Sequence, residues 1–263
     1  MTGPSQSSPS IHRLDEVGST NAYLKDLAAQ GAIHGTLVVA RKQTQGRGSG
    51  LRSWFSPDGG LYLSVLLMPR QDRPPTDLAF LAGVALVQTL SNLLPKVCDV
   101  SLKWPNDCLI NMIKVGGVLS ESLGEGQMAV VGIGLNVNMG AADLERFSDR
   151  PFSATSCQLA MDGDALDLAA LESSLTKKLF ALYDIYREQG FETIRFLWER
   201  NFRFVGKKIE ITASDARKHI AQEIKAPIMA TVLGIDDLGG LILSNAQGDR
   251  RSYFTAEILR VVG

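Results

Sequence analysis

Hydrophobic and polar positions along the chain switch between a helical and a strand period, and each switch marks an element. Ala22 to Gln30 carries helical spacing, with Ser19-Thr20-Asn21 to cap its start and Gly31 to stop it. Thr36–Ala40 predicts a strand, and Arg41–Ser53 predicts a loop holding Gly46, Gly48 and Gly50. Leu61–Met68 predicts a strand ended by Pro69. Asp77–Leu94 is apolar on most sides and predicts a well-buried helix. A short strand, Val100–Lys103, precedes two longer ones, Lys114–Glu121 and Met128–Val137, joined at Gly124-Glu125-Gly126. Leu168, Leu171, Leu175, Leu179, Leu182 and Tyr186 then recur at steps of three and four, with Asp167 to cap the helix and Gly190 to end it. Phe191–Phe202 predicts a second helix. After Val205-Gly206 the pattern turns to short strands, Lys208–Thr212, Ile228–Asp236, Gly240–Ser244 and Arg251–Tyr253. Asp237-Leu238-Gly239-Gly240 and Ala246-Gln247-Gly248-Asp249 supply turns, and the polar stretch Ala213–Ala226 reads as a long hairpin loop.

These elements sum to an α+β fold, a mixed and mostly antiparallel sheet with helices, followed by a small all-β module that packs on the main domain. The expected boundaries are a disordered Ser/Pro/Gly-rich tail at 1–10, a main domain at 11–204 and the β module at 205–263. Of the 263 residues, 45% are hydrophobic and 21% charged, the balance of an ordinary globular protein. The formal net charge of −1 sets up no global field toward nucleic acid. Cys98, Cys108 and Cys157 have no metal-like spacing, so they read as free thiols in a reducing compartment. The first ten residues lack the basic start and apolar run of a signal peptide. The stretch Leu78–Leu94 is too short and too polar to cross a bilayer core of about 30 Å. The expected location is therefore cytoplasmic. His12, His34 and His219 read as surface residues.

Three segments carry chemistry. The loop 41–54 places Arg41, Lys42, Arg47 and Arg52 among three glycines before Trp54. Glycines let backbone N–H groups turn toward an anion, arginine forks bind phosphate, and Trp54 is shaped to cover a flat group. It is neither a Walker loop nor a dinucleotide fingerprint, because no Gly-Lys-Ser/Thr follows and no helix opens at the glycines. The second segment is Lys103-Trp104-Pro105-Asn106-Asp107, followed by Lys114 and Gly116-Gly117. Pro105 forces the chain out of a strand, leaving Asn106 and Asp107 at a strand end facing a cleft. The Asn106 carboxamide matches a purine edge. Asp107 has two readings, as an oxygen ligand for Mg²⁺ or as the partner that orients Lys114 or Arg47. The third segment, Gly132-Ile133-Gly134-Leu135-Asn136-Val137-Asn138, alternates so that Gly132, Gly134, Asn136 and Asn138 share one face. Over that face a flat ligand would lie, with the asparagines meeting phosphate or metal.

Taken together, these motifs resemble those of the biotin protein ligases (biotin–[acetyl-CoA-carboxylase] ligases). The resemblance rests on Gly18-Ser19-Thr20-Asn21, Gln43 with Gly46-Arg47-Gly48, Arg52 with Trp54, Lys103-Trp104-Pro105-Asn106-Asp107, Lys114 with Gly117, and Gly132–Asn138, and it spans nearly the whole chain. It implies a class II synthetase-like catalytic domain with an SH3-like β-barrel at the C-terminus. It further implies that biotin is activated by MgATP to biotinyl-5′-AMP and passed to a lysine of a biotin carboxyl carrier protein or domain. By that resemblance Ser19, Thr20, Asn21, Gln43, Gly46, Arg47, Lys114 and Gly117 bind biotin. Arg47, Arg52, Trp54, Lys103, Asn106 and Asn136 hold ATP and the adenylate. Lys114, Arg47 and Asp107 are catalytic, with Lys114 the main stabiliser of the transition state and Asp107 a support for Mg²⁺. The loop Arg41–Trp54 is expected to order on binding ligand. Only about ten irregular residues precede the catalytic region, too few for the DNA-binding domain of some members, so the expectation is of no DNA or membrane partner. Oligomeric state is left open, a homodimer included.

Two other readings compete. A lipoate or octanoyl ligase of related fold usually shows an Arg-Arg-x-Ser-Gly-Gly-Gly-type loop with a histidine following, which Arg47-Gly48-Ser49-Gly50 only faintly echoes. A non-catalytic nucleotide- or vitamin-binding module would not need both Lys114 and Asp107. The loop departs from the family pattern, Gly-Arg-Gly-Arg-x-Gly-Arg-x-Trp, at one charged position, since Ser49 stands in place of the second arginine. The loss of that cation implies a looser hold on biotinyl-AMP. Replacing Ser49 by Arg is expected to slow release of biotinyl-AMP from the enzyme, measured as its dissociation rate; an unchanged rate would remove this explanation.

Overall fold

The structure is a computed structural model that describes residues 9–50, 52–124, 126–145, 154–213 and 227–262. Its elements in chain order are β1 (Ile11–Val17), α1 (Thr20–Ala29), β2 (Leu37–Gln43), β3 (Gly60–Leu67), α2 (Asp77–Leu93), β4 (Val100–Lys103), β5 (Asp107–Ile110), β6 (Ile113–Leu123) and β7 (Met128–Asn136). They continue with α3 (Ala141–Leu144), α4 (Cys157–Ala160), α5 (Leu168–Gln189), α6 (Phe191–Glu199), β8 (Lys208–Ala213), β9 (Ile228–Ile235), β10 (Leu241–Ser244), β11 (Arg250–Tyr253) and β12 (Ala256–Val261). The tail residues 1–8, most of the polar stretch 213–226 and Glu125 of the predicted turn lie outside the described residues.

Seven strands form one sheet in the order β1-β2-β3-β7-β6-β5-β4, and five form a second in the order β11-β10-β9-β8-β12. Among the described strand pairs only β1 and β2 run parallel; the others are antiparallel. The mixed, mostly antiparallel α+β architecture expected from the pattern is therefore present, with a small C-terminal β-sheet.

Strand parity decides where the core ends and the second face begins. Leu61, Leu63, Val65 and Leu67 of β3 and Ala129, Val131, Ile133 and Leu135 of β7 all enter the main core under α2, α5 and α6. The alternate positions, Tyr62, Ser64 and Leu66 on β3 and Val130, Gly132, Gly134 and Asn136 on β7, point the other way. Leu66 and Val130 pack there with Val38 and with Leu24 of α1. Between that patch and the loop after β2 the second face turns polar and bare. Among the described residues the C-terminal sheet has no separate core: Ile209, Val232, Leu243 and Ile258 join the same cluster as Trp198 and Leu102. Trp104 Nε1 also donates to Gly239 O at 2.9 Å.

The helices follow their local signals. Asp167 accepts from the N–H groups of Ala169 and Ala170 at the start of α5, and Gly190, at φ 84°, ends it. Three strands were not legible in the pattern: β1, β5 and β12. The hairpin that brings Lys114 back is made by β5 and β6, joined through Asn111 and Met112, both at positive φ. That is the backbone of a tight two-residue hairpin turn. Asp107 accordingly opens a strand instead of hanging past the end of one. Among the described residues no helix is long and apolar enough to cross a membrane.

Trp198 is fully buried, edge-on to Phe80 at 5.2 Å between ring centroids. Trp198→Ala is expected to destabilise the fold by about 3–5 kcal/mol. Urea unfolding checks this, and a loss below about 1 kcal/mol would show that the two sheets do not share this core.

Candidate active site

The polar stretch of the second sheet face is built from three strands in register. Gly117 lies opposite Gly134, Leu119 opposite Gly132 and Glu121 opposite Val130, with Gly134 and Gly132 in turn opposite Tyr62 and Ser64. Asp107 lies opposite Gly117. Two glycines of this floor are under protein side chains. A Cβ on Gly134 would fall 2.7 Å from Trp54 Nε1, and one on Gly132 would fall 2.1 Å from Asn21 Oδ1. The loop returning to the floor is closed by backbone bonds, Trp54 N to Gly46 O at 2.8 Å and Gly48 N to Arg52 O at 2.7 Å. Gly46 is required there, because a Cβ would meet Trp54 O at 2.2 Å.

At one end of the floor the α1 cap forms a hydrogen-bonded cluster. Ser19 caps α1 from its own side chain. Gln43 Oε1 accepts from Thr20 N at 2.8 Å and from Thr20 Oγ1 at 3.1 Å, and Gln43 Nε2 donates to Ser56 Oγ at 2.9 Å. Ser64 Oγ lies 2.7 Å from Thr20 Oγ1 and 2.6 Å from Asn21 Oδ1. Glu121 Oε2 accepts from Asn21 Nδ2 at 2.8 Å, while Glu121 Oε1 faces Lys25 Nζ at 2.6 Å and Arg47 Nη1 at 2.9 Å. Burial alone would raise the Glu121 carboxyl. Hydrogen bonds from Lys25 and Asn21, with the Lys25 and Arg47 charges, outweigh it and hold the group below its usual 4.5.

At the other end Lys114 Nζ contacts Asp107 Oδ1, and Lys103 Nζ lies 3.7 Å from Asp107 Oδ2. Lys114 Nζ also stands 5.3 Å from the centroid of the Trp54 ring. Lys103 is buried beneath this pair. Its pKa is lowered, first by burial and then by the neighbouring Lys114 and Arg52 charges, against the pull of Asp107. Gly117 keeps the space beside the pair bare, since its missing Cβ would sit 3.5 Å from Asp107 Oδ1 and 3.7 Å from Lys114 Nζ.

Residues 14–138 match the model of the Biotin/lipoate A/B protein ligase family. A biotin–[acetyl-CoA-carboxylase] ligase of Paracoccus denitrificans is 33% identical over 242 residues, covering 89% of this chain and 94% of that protein. The chain belongs to the biotin protein ligase family. The bifunctional ligase/repressor BirA of Bacillus spizizenii is 33% identical across 91% of this chain and 70% of its own length. A solved biotin protein ligase from Aquifex aeolicus, in complex with biotin and ATP, superimposes with a TM-score of 0.77 at 27% identity, over 95% of this chain and 99% of the other. The named relatives are ligases, among them biotin–[acetyl-CoA-carboxylase] ligases.

Against that family the motif residues fall into two clusters on one floor. Ser19, Thr20, Asn21, Gln43, Gly46 and Arg47 gather at the α1 end. Lys114, Asp107, Gly117, Lys103 and Trp54 gather at the hairpin end. Asn106 lies at the edge, its Nδ2 donating to Val118 O and to Ser49 Oγ at 3.1 Å. Asn136 is buried and donates to Thr155 O at 3.0 Å, which ties β7 to the segment paired with Lys114. Arg52 pairs with Glu257 on β12, its Nη1 2.9 Å from the carboxylate.

Four expectations need correction. Asn138 is past the end of β7 and is spent on Leu166, donating to its O at 2.8 Å and accepting from its N at 2.9 Å. The face over Gly132 and Gly134 is not open to a flat ligand, because Asn21 and Trp54 fill it. His34 is half-buried, its ring tilted against Tyr183 at 4.7 Å between centroids, and burial lowers its pKa. Asp107 does not fit a metal ion, since both its oxygens face ammonium groups that repel a dication. Ser64, Ser56, Lys25 and Glu121 join these clusters without belonging to any of the motifs. The one available signal was parity, which puts Glu121 on the same face as Gly117.

Gly134→Ala is expected to push Trp54 off the floor. Titration should show weakened ATP binding while the α1 cluster and biotin binding change little. Equal losses for both ligands would contradict the division of the floor into two ends.

Proposed function

We propose that this chain catalyses ATP-dependent biotinylation in two steps on this floor. The observation that carries the reading is the pairing of a lysine held by a carboxylate, Lys114 on Asp107, with a hydrogen-bonding cluster at the opposite end. In the first step an oxygen of biotin's carboxylate attacks the α-phosphorus of ATP, the bond to the β-phosphate oxygen breaks, and pyrophosphate leaves with that electron pair. The product is biotinyl-5′-AMP. In the second, the amine of a carrier lysine attacks the acyl carbon, AMP leaves, and the amine gives up a proton.

Both steps bring anions together, so fixed cations are the main requirement. Lys114 is assigned to the carboxylate and α-phosphate oxygens, exchanging Asp107 for substrate as they arrive. Arg47 is assigned to biotin's carboxylate from the α1 end, reaching it from the loop. The α1 cluster, Ser19, Thr20, Asn21 and Gln43, offers donors and acceptors for biotin's polar groups, with Gly46 and Gly117 leaving room. Trp54, Asn106, Lys103 and Asn136 shape the adenylate end, and Arg52 joins it only by leaving Glu257. Magnesium would enter bound to the nucleotide's own phosphates. Three buried free cysteines fit a reducing compartment such as the cytoplasm.

Biotin-dependent exchange of labelled pyrophosphate into ATP tests the reading. Wild type should exchange only with biotin, and Lys114→Ala should lose at least about 100-fold. Lys114→Arg should not restore the rate, because the fork cannot take the place of a point charge between Asp107 and Trp54. Exchange independent of biotin would overturn the assignment.

A further inference from the structure

We propose that Glu121 is the positioning residue for Arg47, and so for the grip on biotin's carboxylate; this rests on the biotinylation reading above. Arg47 sits between Gly46 and Gly48 on the loop, and its side chain is 48% exposed. A long side chain on such a loop samples many rotamers unless something holds it. Glu121 is the group that does so. It comes from the sheet, with its own side chain only 16% exposed, and it meets Arg47 through Nη1 at 2.9 Å. A guanidinium carries five N–H donors in a fork, so fixing one nitrogen leaves the others able to hold a ligand anion.

The same carboxylate fixes the other half of the site. Its second oxygen takes Asn21 Nδ2 at 2.8 Å, and Asn21 Oδ1 is 2.6 Å from Ser64 Oγ. Lys25, one turn along α1 from Asn21, meets Oε1 at 2.6 Å. One part-buried acid thus sets the distance between the α1 cluster and the loop cation. Lys25 shares the carboxylate, which leaves Glu121 a partner if Arg47 shifts toward substrate.

Glu121→Gln keeps the volume and an oxygen for Asn21 while removing the charge that holds Arg47. Calorimetric titration with biotin reads the effect. Glu121→Gln should weaken biotin binding by about tenfold. In the Arg47→Ala background the same change should cost less than about twofold, because the group it positions is gone. Lys25→Met, which leaves Arg47 paired, should stay within about twofold of wild type. Wild-type affinity for biotin must be present first; its absence would sink the biotinylation reading itself. With wild-type binding intact, a Glu121→Gln cost that persists in the Arg47→Ala background would overturn the proposal, as would no cost at all. A Lys25→Met loss equal to that of Glu121→Gln would overturn it too, by moving the role to α1.

Discussion

A site that joins two anions needs several cations close together, and those cations repel one another until the anions arrive. Two unit charges 4 Å apart near a protein surface interact by about 4 kcal/mol. The fold meets this by setting three carboxylates among five cations, so that each cation faces one. Asp107 stands between Lys114 and Lys103, Glu121 takes Arg47 and Lys25, and Glu257 takes Arg52. A whole-chain net charge of −1 hides this local alternation. Lys103 shows the strain that remains, with its pKa lowered by burial despite Asp107.

Sheet parity arranges those pairs. One side of β3 and β7, joined by Val118 of β6, is apolar and closes the core under α2, α5 and α6. The other side presents Ser64, Gly117, Glu121, Gly132 and Gly134. Acids on the rigid sheet hold Arg47 on a glycine-flanked loop and Lys114 on the neighbouring strand. Substrate can then draw the cations away without disturbing the floor. The C-terminal sheet shares the main core and reaches the loop through Glu257, so its packing bears on the same charges.

What was legible in the sequence was local. The α5 helix carries its whole signal within itself, an Asp167 cap, a leucine stripe and Gly190. The motif residues were legible because Trp-Pro-Asn-Asp and the glycine pairs have little use in a plain strand. The strands β1, β5 and β12 were not, since short runs become strands only by pairing with distant partners. Asn138 was misassigned because alternation was extended past Asn136, where β7 stops. The role of Glu121 depends on α1, the loop and β6 meeting, and no single segment states it. The Trp54 and Asn21 coverings of Gly134 and Gly132 are likewise tertiary facts that a bare Gly-x-Gly pattern does not contain.

The most direct test is to give the enzyme ATP with equal concentrations of biotin, lipoate and octanoate, and to identify the acyl-adenylate by mass spectrometry. Biotinyl-AMP alone is expected. Lipoyl- or octanoyl-AMP would keep the fold and overturn the substrate, and the absence of any acyl-adenylate would contradict the chemistry assigned to this floor.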